Sequence, residues 1–420
     1  MLSAMTVCSL YRVCCALLVA LLFAVVVRAA PQDESGPASA ATYRVSLLPG
    51  SGELVVGKLR YREDPQRAYT PQLFYVQLLA NNVQTVTAVP FNKGAGESRY
   101  LLGFSVHNAA ATAAALQPVA GRTRSHALAV WVFDENGNRK RVLNDTQGAP
   151  FTQRATAHRL LASEPFTLRP AQTVYLVLEY QTRGSSYLPL FMGKADDIGQ
   201  WLQRERQATL GFYALCAAII VLFAATGLRY RARDAAGFAV LFVLGLLLTA
   251  SVEGAAFEYL WPRQADWNGR ATAVLLFALG AVGLLLAGAT VNKTYSNIAL
   301  RRVLPPAALA LAVLAVLAVW RDSQMLLPWG VAASGIMLLT VLYAVASRLS
   351  ATPPCVRLFY ALAVLAVAAL FAGGFHGGSG LPPGMINLYG VRMLYAACLL
   401  VLAVSLLCHY RAEHRRSPRT

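Results

Sequence analysis

The 420-residue chain is 56% hydrophobic and only 14% charged, with a mean hydropathy of +0.48, a balance that excludes a soluble enzyme, a disordered chain or a coiled coil. Its formal charge of +17 invites a nucleic-acid reading, but residues 31–200 carry 17 Lys/Arg against 13 Asp/Glu while residues 201–420 carry 18 against 7, most of them in short loops between apolar runs. A phosphate-binding surface would not be divided in this way.

In chain order, residues 1–29 read as a secretory signal: Arg12 leads, an apolar stretch runs from Cys14 to Val27, and Val27-Arg28-Ala29 is a small-residue exit. Residues 30–42 are a polar, small-residue linker. Residues 43–195 then alternate short runs rich in Val, Leu, Tyr and Phe with turn residues: Leu54 to Tyr61, Leu73 to Leu79, Tyr100 to Val106, Ala127 to Phe133 and Val174 to Tyr180. These predict five strands of an all-β, sandwich or jelly-roll-like extracytoplasmic domain. Asp134-Glu135-Asn136-Gly137-Asn138 supplies a hairpin turn after the fourth run, and Val174 to Tyr180 is expected to close one sheet.

The seven cysteines lie in the leader (Cys8, Cys14, Cys15) or in apolar segments (Cys216, Cys355, Cys398, Cys408), so the front domain must stand on an ordinary core without disulfides. His107, His126 and His158 are scattered and fit no catalytic or metal-ligand spacing, which makes surface or capping roles the expectation. Trp131 could stack a sugar, but its alternating strand favours a core position. No catalytic residue, metal site or cofactor is expected.

After a stalk at residues 196–207, residues 208–408 contain seven apolar runs: 208–228, 235–256, 271–291, 303–320, 325–346, 356–375 and 388–408. Each is long enough to cross a bilayer as a helix. The expected architecture is therefore a membrane bundle of seven transmembrane helices behind the β domain, with a short basic tail at 409–420. An exported front half places twelve basic residues on the inner side (Arg229, Arg231, Arg233, Lys293, Arg301, Arg302, Arg348, Arg357, Arg411, Arg415, Arg416, Arg419) and three outside (Arg263, Arg270, Arg321). That asymmetry is what the positive-inside rule demands, and Trp201, Trp261, Trp267, Trp320 and Trp329 then all fall at outer helix ends.

Two ionisable residues interrupt the apolar segments. Glu253 near the end of the second span and Arg392 near the start of the seventh lie at a similar depth in the outer leaflet, where they can pair in a polar pocket opening outward; the alternative is that each snorkels to the interface. Gly280, Gly283 and Ala287 share helical spacing and suit close packing by a neighbouring helix. The glycine-rich His376-Gly377-Gly378-Ser379-Gly380 lacks the Lys and Ser/Thr of a phosphate loop and reads as a turn.

From Leu188-Pro189-Leu190 onward, through Trp201-Leu202-Gln203-Arg204-Glu205-Arg206, Leu210-Gly211-Phe212-Tyr213, the Arg231 to Asp234 turn and Phe257-Glu258-Tyr259-Leu260-Trp261-Pro262, the chain resembles the bacterial seven-transmembrane receptors with diverse intracellular signalling modules, the 7TMR-DISM family. The likeness is strong in the membrane half and weak in the front half. It implies a β-rich sensor similar to carbohydrate-binding sandwiches, facing the periplasm of an inner-membrane, multi-pass protein whose C-terminus is cytoplasmic. Such receptors commonly carry a kinase, cyclase or phosphatase behind the seventh helix, whereas only Cys408 to Thr420 follow here, and Val391-Arg392-Met393 departs from the usual small-and-polar pattern.

The expectation is thus a non-enzymatic sensor that binds an extracytoplasmic ligand, with carbohydrate one candidate class, and signals to a separate cytoplasmic protein. Membrane lipid is the other partner, and nucleic acid is not one. The rival reading is a transporter or an accessory subunit of envelope or polysaccharide assembly, against which the chain offers no internal repeat and keeps Pro305, Pro306, Pro328, Pro354 and Pro382 near helix ends.

Overall fold

The computed structural model describes residues 46–320, apart from residues 48–53, 87–90, 92, 94, 97, 122–126, 147–148, 155–157, 182–183, 187, 233 and 295–297, together with residues 383–416. The leader, the linker, the spans expected at 325–346 and 356–375, His376 to Gly380 and Trp329 all lie outside the described residues.

The front domain is a sandwich of two sheets. The larger has seven strands: β2 (Leu54–Val56), β3 (Arg60–Glu63), β4 (Gln84–Thr85), β6 (Arg99–Asn108), β8 (Ala127–Phe133), β9 (Arg139–Thr146) and β12 (Thr173–Gln181). The smaller joins β1 (Ser46–Leu47), β7 (Ala114–Ala120), β10 (Leu161–Ala162), β11 (Phe166–Leu168) and β14 (Leu190–Lys194), while β5 (Ala95–Gly96) and β13 (Gly184–Ser185) make a separate pair. Leu102, Phe104, Val106, Leu128, Val130, Leu176 and Leu178 of the large sheet meet Leu116, Phe166, Leu168, Leu190 and Met192 of the small one in a dry core.

Four of the five expected strands are present, with three adjustments. The run Leu54 to Tyr61 is broken at Gly57, where a Cβ would lie 2.1 Å from Ser105 Oγ, so β2 and β3 pair separately with β6. The run Val174 to Tyr180 does not close a sheet, because β12 sits between β6 and β8 in the middle of one. In the Asp134 hairpin only Gly137 has a positive φ (+80°), and the turn is tied by Asp134 Oδ1, which accepts the N–H groups of Asn136 and Asn138.

The remaining run corrects the all-β expectation: Leu73 to Leu79 belongs to helix α1 (Pro71–Leu79), opened by Thr70 Oγ1 accepting the Leu73 N–H and by Pro71 in the first turn. Phe74, Tyr75 and Leu78 are its buried face, a helical rather than an alternating set. Phe74 and Tyr75 pack on Leu101, Phe133 and Val177 across the outer face of the large sheet. Trp131 lies beside this cluster as a half-buried residue, with the Arg139 and Arg141 guanidinium groups each 5.3 Å from its ring.

Behind β14 the chain enters helix α2 (Ala195–Arg229) without a break, so stalk and first span form one 35-residue rod of about 50 Å. Then follow α3 (Ala235–Glu253), the short α4 (Ala255–Tyr259), α5 (Ala265–Thr294), α6 (Ile298–Trp320) and α7 (Pro383–Arg416). Four of these, α2, α3, α5 and α6, are long and apolar enough to cross a membrane. Gly280 packs where a Cβ would meet Leu311 Cδ1 of α6 at 2.9 Å, and Arg270 Nη1 donates to the Val319 carbonyl at 2.9 Å, pinning the start of α5 to the end of α6. Helix α7 runs beside α2 in the same direction: Arg392 reaches Thr209, whereas Tyr410 meets Phe223 and His414 meets Tyr230.

Candidate functional site at the junction of sandwich and bundle

One buried stripe runs the length of α2, through Ile198, Leu202, Glu205, Thr209, Cys216, Ile220, Phe223 and Gly227, at steps of three, four and seven. Its first two members dock on the outer face of the small sheet with Val119, Leu160 and Ala162. Further along, Cys216, Ile220 and Phe223 pack inside the bundle, and Gly227 sits against Ala235. Between them, Glu205 and Thr209 are polar, and their partners make the most highly charged buried region at the junction.

Glu205 is ion-paired with Arg159, which stands on the sandwich loop before β10. The same carboxylate oxygen lies 3.4 Å from Arg392 Nη2 of α7. Arg392 also pairs with Glu253 through its Nε and donates to Thr209 Oγ1 at 2.8 Å. Tyr213 donates to Glu253 Oε2 at 3.2 Å, and Arg159 Nη1 donates to the Glu253 carbonyl at 3.3 Å. All four ionised side chains are 6% exposed or less.

A second arm comes from the loop after α3. Gly254, at φ +82°, ends that helix in the left-handed conformation glycine tolerates, and turns the chain into α4. There Glu258 accepts the Arg159 backbone N–H at 3.0 Å through Oε2 and Arg206 at 2.9 Å through Oε1. Phe257 meets Phe151 edge-on at 5.6 Å, and the Phe151 N–H donates to the Pro262 carbonyl at 2.8 Å. Arg154 lies over both rings and pairs with Asp145 at 3.0 Å. Burial pushes the Asp145 carboxyl up, with Arg154 opposing that rise.

Three arginines and three glutamates, Arg159, Arg206, Arg392, Glu205, Glu253 and Glu258, thus balance in charge across one domain loop, α2, α4, the end of α3 and α7. Removing charges from water costs several kcal/mol per ion, so the buried members of the set, all but Arg206, are tolerable only while they stay together. The cost is offset by the mutual pairs and hydrogen bonds of the closed junction. Chemically, it offers an electrostatic latch rather than a nucleophile or a metal-ligand set.

The pair expected from sequence, Glu253 with Arg392, is brought together, and neither residue snorkels away. Arg159, Glu205, Glu258, Arg206, Tyr213 and Thr209 were not expected at this site, although Glu205, Arg206, Tyr213 and Glu258 stand in the very segments on which the family likeness rests. Of the surface or capping roles expected for the histidines, His158 takes the capping one in a buried setting: it is 5% exposed, and its Nδ1 accepts the Leu160 N–H at 3.0 Å. His107 Nδ1 lies 3.0 Å from Thr173 Oγ1, and His126 is outside the described residues.

A β-sheet domain on the outside, continued by one rigid helix into a set of apolar membrane helices, defines the class: a membrane protein with an outward N-terminal domain, built as receptors and sensors are. Residues 57–194 match the family model described as 7TMR-DISM extracellular 2, so the front domain is similar to the extracellular domain of 7TMR-DISM receptors. The match falls in the front half, where the sequence likeness is the weaker. No curated protein shows a significant match to the chain.

Proposed function

We propose that this protein is a non-enzymatic periplasmic sensor of the bacterial inner membrane, in which the sandwich binds a ligand, carbohydrate being the candidate class, and moves α7 to inform a separate cytoplasmic signalling protein. One observation carries the reading: a single Glu205 oxygen lies against Arg159 of the sandwich and within 3.4 Å of Arg392 of the last described helix. A shift of the sandwich loop changes the partners available to Arg392, and α7 delivers that change to the level of Tyr410 and His414.

The seven-span topology fits this reading. Trp320 ends α6 on the domain side, as the Arg270 contact with Val319 indicates, and Arg392 places the start of α7 on that side too. In the sequence, the apolar runs at 325–346 and 356–375 are each long enough to supply one of the two further crossings that a seven-span chain needs. A total of seven puts the basic stretch Arg411 to Arg416 in the cytoplasm, beside anionic lipid.

The test uses full-length protein in lipid nanodiscs, screened against a glycan array, with a probe at His414→Cys in a background free of native cysteines. A bound glycan should move the probe, and Arg159→Ala should keep glycan binding while abolishing the movement. Movement that survives Arg159→Ala, or glycan uptake into proteoliposomes, would overturn the sensor reading.

A further inference from the structure

The sensor reading leaves His158 without a task, although it occupies the centre of the latch. It follows the loop residues that touch α4, precedes Arg159 directly, and its Nδ1 holds the Leu160 N–H at 3.0 Å. Leu160 packs with Ile198 and Leu202 of α2, so the two residues after His158 make the ionic and the apolar halves of the docking contact. A ring nitrogen that accepts a hydrogen bond cannot be protonated without losing it.

We propose that His158 makes the docking of the sandwich on the membrane bundle acid-sensitive, releasing it when the periplasm acidifies; this rests on the latch acting as the coupling element. Protonation at Nδ1 ejects the Leu160 N–H and adds a cation beside Arg159 on its own loop and Arg206 on α2, opposed by Glu258 on α4 and Glu205 on α2. Those two carboxylates are already engaged by Arg159, Arg206 and Arg392, which limits what they can offer a further cation. Undocking lets the ring take its proton in water and frees the arginines from it.

The sign follows from the same environment. Burial lowers the docked His158 from 6.5 to about 4. The neutral ring belongs to the docked state, so docking is unaffected above pH ~6.5 and weakens as pH falls towards ~4, where the dependence levels off. With an ordinary histidine in the undocked state, the docking equilibrium shifts by about thirtyfold between pH 7.5 and pH 5.

The experiment places spin labels at Glu164→Cys on the sandwich and Gln203→Cys on α2, in full-length protein without native cysteines, in nanodiscs frozen at pH 7.5, 6, 5 and 4. A single short distance at pH 7.5 should give way to a second, longer population at pH 5. His158→Asn keeps a side-chain acceptor for the Leu160 N–H with nothing to titrate, and should hold the short distance down to pH 5; His158→Gln serves if that variant folds poorly. An unchanged distance in the parent protein at every pH, or an identical pH response in His158→Asn, overturns the proposal, the latter by assigning the effect to carboxylates. Arg159→Ala at pH 7.5 separates the two ideas. If it lengthens the distance while acid does not, only the pH device fails; if it leaves the distance unchanged, the latch itself fails.

Discussion

Arg99 and Arg159 are alike in isolation and opposite in setting. Both are buried guanidinium groups held by carboxylates. Arg99 pairs with Asp64 at 2.6 Å and Glu179 at 2.8 Å and donates to the Tyr69 carbonyl, all on or beside the outer face of the large sheet. Asp64 in turn accepts the Ala68 and Tyr69 N–H groups, so its loop is shaped around the pair. Arg159 instead reaches Glu205 on α2, the Glu253 carbonyl on α3 and, through its backbone, Glu258 on α4. A buried ion pair carries a desolvation cost in either place. In the first case water can return only if the domain unfolds; in the second it returns when two folded parts move apart. That makes the junction, and not the sheet, the place where a modest stimulus can change structure.

The largest expected effect tests the first half of this contrast. Arg99→Ala leaves the buried Asp64 without its counter-ion and should lower the thermal stability of the sandwich by about 3–5 kcal/mol, while the Glu164 to Gln203 spin-label distance at pH 7.5 stays as it was. A change in that distance would make Arg99 part of the coupling and erase the contrast. Next comes the pair within the bundle: Glu253→Arg and Arg392→Glu should each destabilise the purified protein, and the double variant should recover about 1–3 kcal/mol of the summed loss. A double variant no more stable than either single would remove the pair from the latch. A smaller effect, about 1–3 kcal/mol, is expected of Gly103→Ala, whose Cβ would fall 2.8 Å from Phe74 and 2.9 Å from Leu78. Calorimetry should place this loss in the sandwich alone, since α1 sits on the sheet face away from α2.

How much of this could be read beforehand depends on whether a feature is local. Ala127 to Phe133 alternates and lies between strands, so β8 has the expected bounds. Leu73 to Leu79 is apolar with no alternation, and Thr70-Pro71 before it is a helix-start signature that a five-strand reading leaves unused. Glu253 and Arg392 were visible because charge inside an apolar run is conspicuous. Glu205 and Thr209 are equally legible in principle: they continue the three-and-four spacing of Ile198 and Leu202 and so interrupt a buried stripe, one that runs across the expected boundary between stalk and first span. Arg159 carries no such mark. It lies in an irregular loop without periodicity, and only the folding of the sandwich onto α2 brings it to Glu205, 46 residues away.

The smallest expected effect is the most discriminating. Arg206 also belongs to the latch, yet its side chain is 44% exposed and its pair with Glu258 faces water on one side. Arg206→Ala should therefore cost less than about 1 kcal/mol of docking stability, and what it does cost should vanish in high salt, because water and ions already screen the contact. Glu258 keeps the Arg159 N–H through its other oxygen, so the loop remains in place. Arg159→Ala removes a group 3% exposed and should act with little salt dependence. The two variants, compared in the same spin-label measurement at low and high salt, decide which arm transmits. Equal lengthening by Arg206→Ala would move the coupling from the Glu205 and Arg392 arm to Glu258 and the α4 turn, with α3 rather than α7 as the moving helix.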